Sequence, residues 1–226
     1  ISEASKAVKI YGTETKAYTS GGRGIEALFT EWIVKSIKRG GMANIILPDG
    51  IFTNIGNNKL KQLIIENCYI ESIISLPVGT FFNTPKKTFI LTIHKRTEEE
   101  MNKIQPYPVY AYLCSTIGET MDTYRFDIAE NDLRDSVDLY NLYRGNKENT
   151  IAISAVNDNP RAKLISIDKF GTENNWNIEL FWSDEEKIEL GIKKKDTIMS
   201  LDEFRGYISE LIDDIKNYQE AIECLK

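Results

Sequence analysis

Between Gly40 and Arg96 the chain alternates strand, turn, helix, strand, turn, strand, which restricts it to an α/β sheet with its polar turns gathered at one edge. Ala43 to Leu47 (ANIIL) is a short aliphatic run bounded by Gly40-Gly41 and Pro48, the pattern of a strand buried on both faces of a parallel sheet. Residues 58–67 carry helical spacing, with Leu60, Leu63 and Ile64 expected inward and Lys59, Lys61 and Glu66 outward. Strands are expected at Ile70 to Leu76 (IESIISL) and Thr88 to Ile93 (TFILTI), the latter rich in β-branched and aromatic residues. Only about ten residues separate these two runs, too few for a crossover helix, so they are expected to be antiparallel. Upstream, Ile25, Leu28, Phe29, Trp32, Ile33 and Ile37 recur every three or four residues, predicting a helix with that face on the sheet and Gly40-Gly41 as its stop.

Open α/β sheets bind ligands beyond the carboxyl ends of their strands, where both proline turns fall. The candidate site therefore involves Pro48 to Phe52 and Pro77 to Lys87.

Composition narrows the classes of function. The single histidine, His94, leaves no metal cluster or catalytic triad to build. Cys68, Cys114 and Cys224 are odd in number and widely spaced, which argues against disulfides and zinc and for a reducing cytoplasm. No run reaches the roughly twenty apolar residues that cross a bilayer, and the start lacks a secretion signal. The net charge of −6 is unevenly spread. Residues 1–96 hold 13 Lys/Arg and 7 Asp/Glu, net +6, and residues 97–226 hold 15 and 27, net −12. A basic half suits phosphates and an acidic half suits protein contacts, unless the asymmetry is only surface decoration.

Past Arg96, Thr97 to Gln105 looks like a surface connection, Tyr107 to Cys114 reads as a further strand, and Glu130 to Tyr143 as a helix with acidic residues at its start. Gly145 to Asn175 reads as loops with short strands such as Lys163 to Ile167. At the end, Ser200 and Glu203 form a capping-box pattern. Leu201, Phe204, Ile208, Leu211, Ile215, Tyr218, Ile222 and Leu225 then follow alternate steps of three and four, a heptad seam that either meets a partner helix or packs within the chain.

LPDGIF at Leu47 to Phe52 and SLPVGTFFNTPKKTFIL at Ser75 to Leu91 resemble the adenine-specific DNA methyltransferase subunit of type I restriction-modification systems, including the fused restriction-methylation enzymes. The likeness covers Gly24 to Arg96 well. It is looser beyond, through NDLRDS at Asn131 to Ser136 and NWNIELFW at Asn175 to Trp182. The resemblance implies the C-terminal half of a class I S-adenosylmethionine-dependent methyltransferase sheet, mostly parallel with an antiparallel last strand. An α+β segment and a coiled-coil-like helix would follow. It divides the chain into residues 1–115 in the methyltransferase domain, 116–199 as the extension and 200–226 as a helix for contact with a specificity subunit, with a restriction subunit as a further partner.

The family's glycine-rich cofactor loop and its catalytic Asn/Asp-Pro-Pro-aromatic tetrapeptide precede the helix at Ile25, and neither is present here. Those carbonyls would hold the adenine amino group for in-line attack, so this chain alone is expected to be inactive, with no catalytic or metal residues of its own. Ile1 is not a methionine, and Ile1 to Arg23 is polar like the loop after the tetrapeptide; a piece of a larger enzyme is expected, with a naturally short protein as the alternative.

Phe81 and Phe82 stand where the family has its base-stacking aromatic, Phe81 nearer the usual position; the other reading makes either of them core. Lys86 and Lys87 either contact DNA phosphate or set the loop against the last strand. In the first turn, Pro48, Asp49 and Gly50 border the active-site edge, where Asp49 hydrogen-bonds its own turn or reaches toward the cofactor. A non-catalytic methyltransferase-like scaffold, and a methyltransferase acting on RNA or protein, are the competing functions.

Overall fold

The computed structural model describes residues 20–22, 24–81 and 86–194, and also residues 204–206, 208–209, 211–212 and 215. The chain divides into two units between Lys193 and Lys194. In the first, the elements run α1 (Ile25–Ser36), β1 (Met42–Pro48), α2 (Asp49–Thr53), α3 (Asn58–Asn67), β2 (Cys68–Ser75), β3 (Thr88–Lys95), β4 (Val109–Leu113), α4 (Asp132–Gly145), α5 (Thr150–Asn157), β5 (Ala162–Ile165) and α6 (Asp184–Glu189). One-turn 3-10 segments lie at Ile55–Asn57, Ile167–Phe170 and Ile178–Phe181.

The five strands form one sheet in the order β1-β3-β2-β4-β5. β3 is antiparallel to both of its neighbours, as expected for TFILTI against IESIISL, with Ile46 and Ile74 both opposite Ile90. β2 and β4 are parallel, so Tyr107 to Cys114 does extend the sheet, and β5 closes it antiparallel to β4.

Two apolar layers sandwich the sheet. On one face Ala27 and Val34 of α1, Leu60 and Ile64 of α3 and the returning residues Phe170, Trp176 and Ile178 cover Leu47, Phe89, Leu91, Ile73 and Ala111. On the other, Tyr140 and Tyr143 of α4 and Val156 of α5 cover Ile74, Tyr110 and Tyr112. This second layer ends short of β1.

Several expectations change. β1 is not buried on both faces: Ile45 and Leu47 are covered, but Asn44 and Ile46 are exposed, Ile46 by 52%, because the layer formed by α4 and α5 does not reach that face of β1. The stripe of α1 against the sheet is Ala27, Thr30, Glu31 and Val34, while Ile25, Phe29 and Trp32 face outward and Ile33 and Ile37 flank the contact. Apolar residues occupy both sides of this helix, so spacing alone does not choose between them. Glu31 is tolerated inside because Ser20 donates to it through its amide (3.1 Å) and its hydroxyl, and Lys35 lies 2.6 Å away.

The expected surface connection also contributes to the interior. Gln105 is buried, and its side chain accepts from the Ile70 amide at 2.8 Å and donates to the Ile70 carbonyl at 2.9 Å. It acts as a pseudo-strand where the β2–β3 register slips between Ile70 and Ser72. The stretch read as loops contains α5, capped by Asn149, whose side chain accepts from the Ile151 amide at 2.8 Å. Ser200, Glu203, Leu201, Tyr218, Ile222, Leu225 and Cys224 lie outside the described residues. Residues 204–206, 208–209, 211–212 and 215 are helical, and Phe204, Ile208, Leu211 and Ile215 of the seam are exposed.

Lys61, expected outward on α3, is 1% exposed. Its ammonium donates to the Asn174 carbonyl at 2.8 Å and lies 5.6 Å from the centre of the Trp176 ring. Burial pushes its pKa down from 10.5 to about 8. Below pH 8 both folded and unfolded chains carry this proton; above it the folded chain releases it first, so its contribution to stability rises between about pH 8 and 10.5. Denaturant unfolding from pH 7.5 to 9.5 is expected to show Lys61→Met losing its advantage over, or falling further behind, the parent chain as pH rises. Parallel curves would remove the assignment.

Candidate functional site

β1 and β2 point the same way with β3 between them, so the turns after β1 and β2 emerge at one edge of the sheet. The first lip is Pro48, with extended backbone, leading into α2. Asp49 is tied to its own turn: Thr53 Oγ1 donates to its carbonyl at 3.1 Å and to its carboxylate at 3.3 Å. Gly50 presents its carbonyl to Asn57 Nδ2 at 2.8 Å. Beneath, Phe52 packs on Phe89 with ring centres 4.9 Å apart, both fully buried, a contact that anchors the lip on β3 and adds about 0.5–1.5 kcal/mol beyond area burial.

The second lip leaves β2 at Leu76 and turns at Pro77, whose carbonyl accepts from the Thr80 amide (3.3 Å) and hydroxyl (2.7 Å). Gly79 sits at φ 90°, a conformation that favours glycine. Phe81 follows and is 38% exposed; Phe82 lies outside the described residues. The two lips are joined by a backbone hydrogen bond from the Asp49 amide to the Lys87 carbonyl at 3.0 Å. A cavity of about 410 Å³ opens there, lined by Pro48, Asp49, Gly50, Ile51, Lys86, Lys87 and, from elsewhere, Glu26, Asn54 and Asn57. The structure thus brings together five of the seven residues that sequence singled out.

The segment NWNIELFW returns to brace this edge. Trp176 is buried, its amide donating to the Phe52 carbonyl at 3.1 Å. Asn177 donates to the Asp49 carboxylate at 3.3 Å and caps the 3-10 turn Ile178–Phe181. Glu179 accepts from Ser75 Oγ at 2.7 Å and pairs with Lys87 Nζ at 2.6 Å. Lys87 is therefore partly buried and engaged within the protein, its ammonium 5.8 Å from the Phe89 ring centre, whereas Lys86 is exposed. Asp49 has its pKa raised, first by burial and then by Glu179, against the lowering effects of Thr53 and Lys87. The sequence assigned no role to Ser75, Asn177 or Glu179 individually; the likeness of SLPVGTFFNTPKKTFIL and NWNIELFW to the family was the only signal.

Elsewhere, Cys68 and Cys114 are buried thiols whose pKa values burial pushes up to about 11 and about 12. They are poor nucleophiles. Among the described residues no group of His, Cys, Asp and Glu could hold a metal ion, and no helix is long and apolar enough to cross a membrane.

The family model for N-6 DNA Methylase matches residues 22–181, which include both lips and the bracing residues Trp176, Asn177 and Glu179. The chain belongs to the N-6 DNA methylase family. Among curated proteins it is similar to the methylase subunit of the type I restriction enzyme EcoEI of Escherichia coli, with 36% identity over 85 residues, 36% of this chain and 17% of that one. Among solved structures, a chain from work on the complex assembly and conformational transition of the type I restriction-modification system matches with a TM-score of 0.50 and 16% identity, over 89% of this chain and 39% of its own length. The chain thus spans well under half the length of either relative. In this N-6 DNA methylase fold, the antiparallel last strand of the expected sheet is β3, inserted between β1 and β2.

Glu179→Ala is expected to leave Lys87 without its carboxylate partner and to cost about 1–3 kcal/mol in denaturant unfolding. In a double-mutant cycle with Lys87→Met the two losses should fall short of adding. Full additivity would show that the pair contributes nothing.

Proposed function

We propose that this chain is the C-terminal part of a DNA adenine-N6 methyltransferase of a type I-like restriction-modification system, with its lipped edge facing an extruded adenine. The observation that carries the reading is the joining of the two lips through Asp49 and Lys87 around a cavity, with Phe81 part-exposed on the second lip. A base taken out of the duplex needs an apolar face to rest on, and Phe81, on the second lip itself, offers one, with Phe82 as its neighbour in sequence. Lys86, exposed at the cavity wall, supplies positive charge toward phosphate, whereas Lys87, paired with Glu179, sets the loop against β3.

S-adenosylmethionine is the methyl donor of the parent enzyme in this reading. The cavity's lining offers carboxylates, amides and the single glycine Gly50, without the glycine-rich turn that admits an adenosyl group to a strand end, so these residues do not by themselves fit the cofactor. Its principal contacts, and the carbonyls that orient the adenine amino group, belong to other parts of the polypeptide, and this chain alone is inactive. Residues 1–115 form the methyltransferase part, 116–199 its extension and 200–226 the contact with a specificity subunit, through the seam of which Phe204, Ile208, Leu211 and Ile215 are exposed. The assembly, with its restriction subunit, works on DNA in the cytoplasm.

In the complete enzyme, Phe81→Ala is expected to weaken binding to DNA carrying an extruded adenine by about 1–3 kcal/mol, measured by competition against the parent enzyme. Equal affinity would remove the stacking role. Deleting residues 200–226 is expected to abolish co-purification with the specificity subunit; retained association would assign that contact elsewhere.

A further inference from the structure

Beside the second lip, residues 118–128 form a hairpin that none of the roles above uses. The Ile128 amide donates to the Gly118 carbonyl at 2.9 Å and the Thr120 amide to the Phe126 carbonyl at 2.8 Å, with Glu119 and Asp127 paired backbone to backbone in an antiparallel β-bridge. At its tip the Asp122 carboxylate accepts from the amides of Tyr124 (2.9 Å) and Arg125 (3.0 Å). Arg125 has φ 55°, in the left-handed region that a long side chain seldom occupies. Such a conformation persists only where the surroundings over-determine it.

Its consequence is directional. Tyr124 and Phe126 on either side are 79% and 63% exposed and stack on each other, whereas Arg125 is half-buried and reaches across to the lip. One guanidinium nitrogen donates to the carbonyls of both Gly79 and Thr80, the latter at 3.0 Å, and another approaches Met121 Sδ at 3.5 Å. These two carbonyls immediately precede Phe81. Pro77 supplies only a local turn to this stretch, through Thr80, so the Arg125 contact links the lip to an element more than forty residues away in sequence. Guanidinium bonds to carbonyls are charge-assisted and outlast neutral ones at a partly wet surface.

We infer that Arg125 is a positioning residue: the hairpin 118–128 is a strut that fixes the Gly79-Thr80 backbone and thereby holds Phe81 in place. The inference rests on the proposed base-contacting role of the lip for its function, but the strut itself is tested without it.

The test uses the complete enzyme in two measurements. Hydrogen exchange of the Thr80 amide, which donates to the Pro77 carbonyl, is expected to speed up about tenfold in Arg125→Ala, with β2 and β3 unchanged and Arg125→Lys intermediate, since an ammonium restores the charge without the planar guanidinium. No change at the lip, or equal acceleration throughout β2 and β3, overturns the strut. Methyl transfer to unmethylated DNA is then compared for Arg125→Ala, Phe81→Ala and the double variant. A raised KM for DNA with unaltered KM for S-adenosylmethionine, and no further rise in the double variant, is expected; fully additive effects overturn the coupling through Phe81. Should Phe81→Ala leave KM for DNA unchanged while Arg125→Ala still loosens the lip, the strut stands and the base-contact reading falls.

Discussion

The antiparallel insertion of β3 between β1 and β2 is the constraint on which the remaining architecture depends. It keeps β1 and β2 parallel while separating them by one strand, so their exit turns lie at the same edge with the start of β3 between them. The residues at the start of β3 are then shared by both turns. The Lys87 carbonyl receives the Asp49 amide from one side, and the Thr88 carbonyl receives the Leu76 amide from the other. Phe89, the next inward residue, is the floor on which Phe52 rests. A slip of β3 by one residue would turn Phe89 to the opposite face and undo these contacts together.

Polar groups so close to a core need partners, and here they come from far along the chain. Ser75, Lys87 and Asp49 are met by Asn177 and Glu179 from a turn itself pinned by Trp176. The opposite end of β2 solves the same problem separately. Buried Glu71 accepts from Tyr107 and Lys147, both at 2.6 Å, and the Lys147 ammonium lies over the Tyr107 ring. That cluster belongs to the scaffold: its charges are paired within the protein and it is remote from the lips.

What was legible in the sequence was whatever local periodicity or turn chemistry determines. Residues 58–67 form the expected helix, and the strands at Ile70 and Thr88 and the two proline turns fall where their residues indicate. What escaped was decided by neighbours distant in sequence. The aliphatic run in β1 says nothing of what lies across from it, and α1 carries apolar residues on both sides, with Thr30 returning its hydroxyl to the Glu26 carbonyl at 2.7 Å. Lys61 looks like a solvent residue until Asn174 arrives above it. In α5 the Gly, Asn, Asp and Pro residues on either side of TIAISAVN read as loop and masked a helix that its Asn149 cap announces. Within the site, the lips were readable from their prolines and glycines, whereas the carboxylate of Glu179 and the guanidinium of Arg125 have no nearby pattern to reveal them.

Ile46 stands half-bare on a strand whose outer side has no ladder partner among the described residues. Backbone amides and carbonyls along that margin, flanked by an aliphatic side chain and lacking the lysines that usually discourage strand addition, form a template for another β-strand. A strand laid along this margin would meet the unladdered backbone of β1 with Ile46 at its flank.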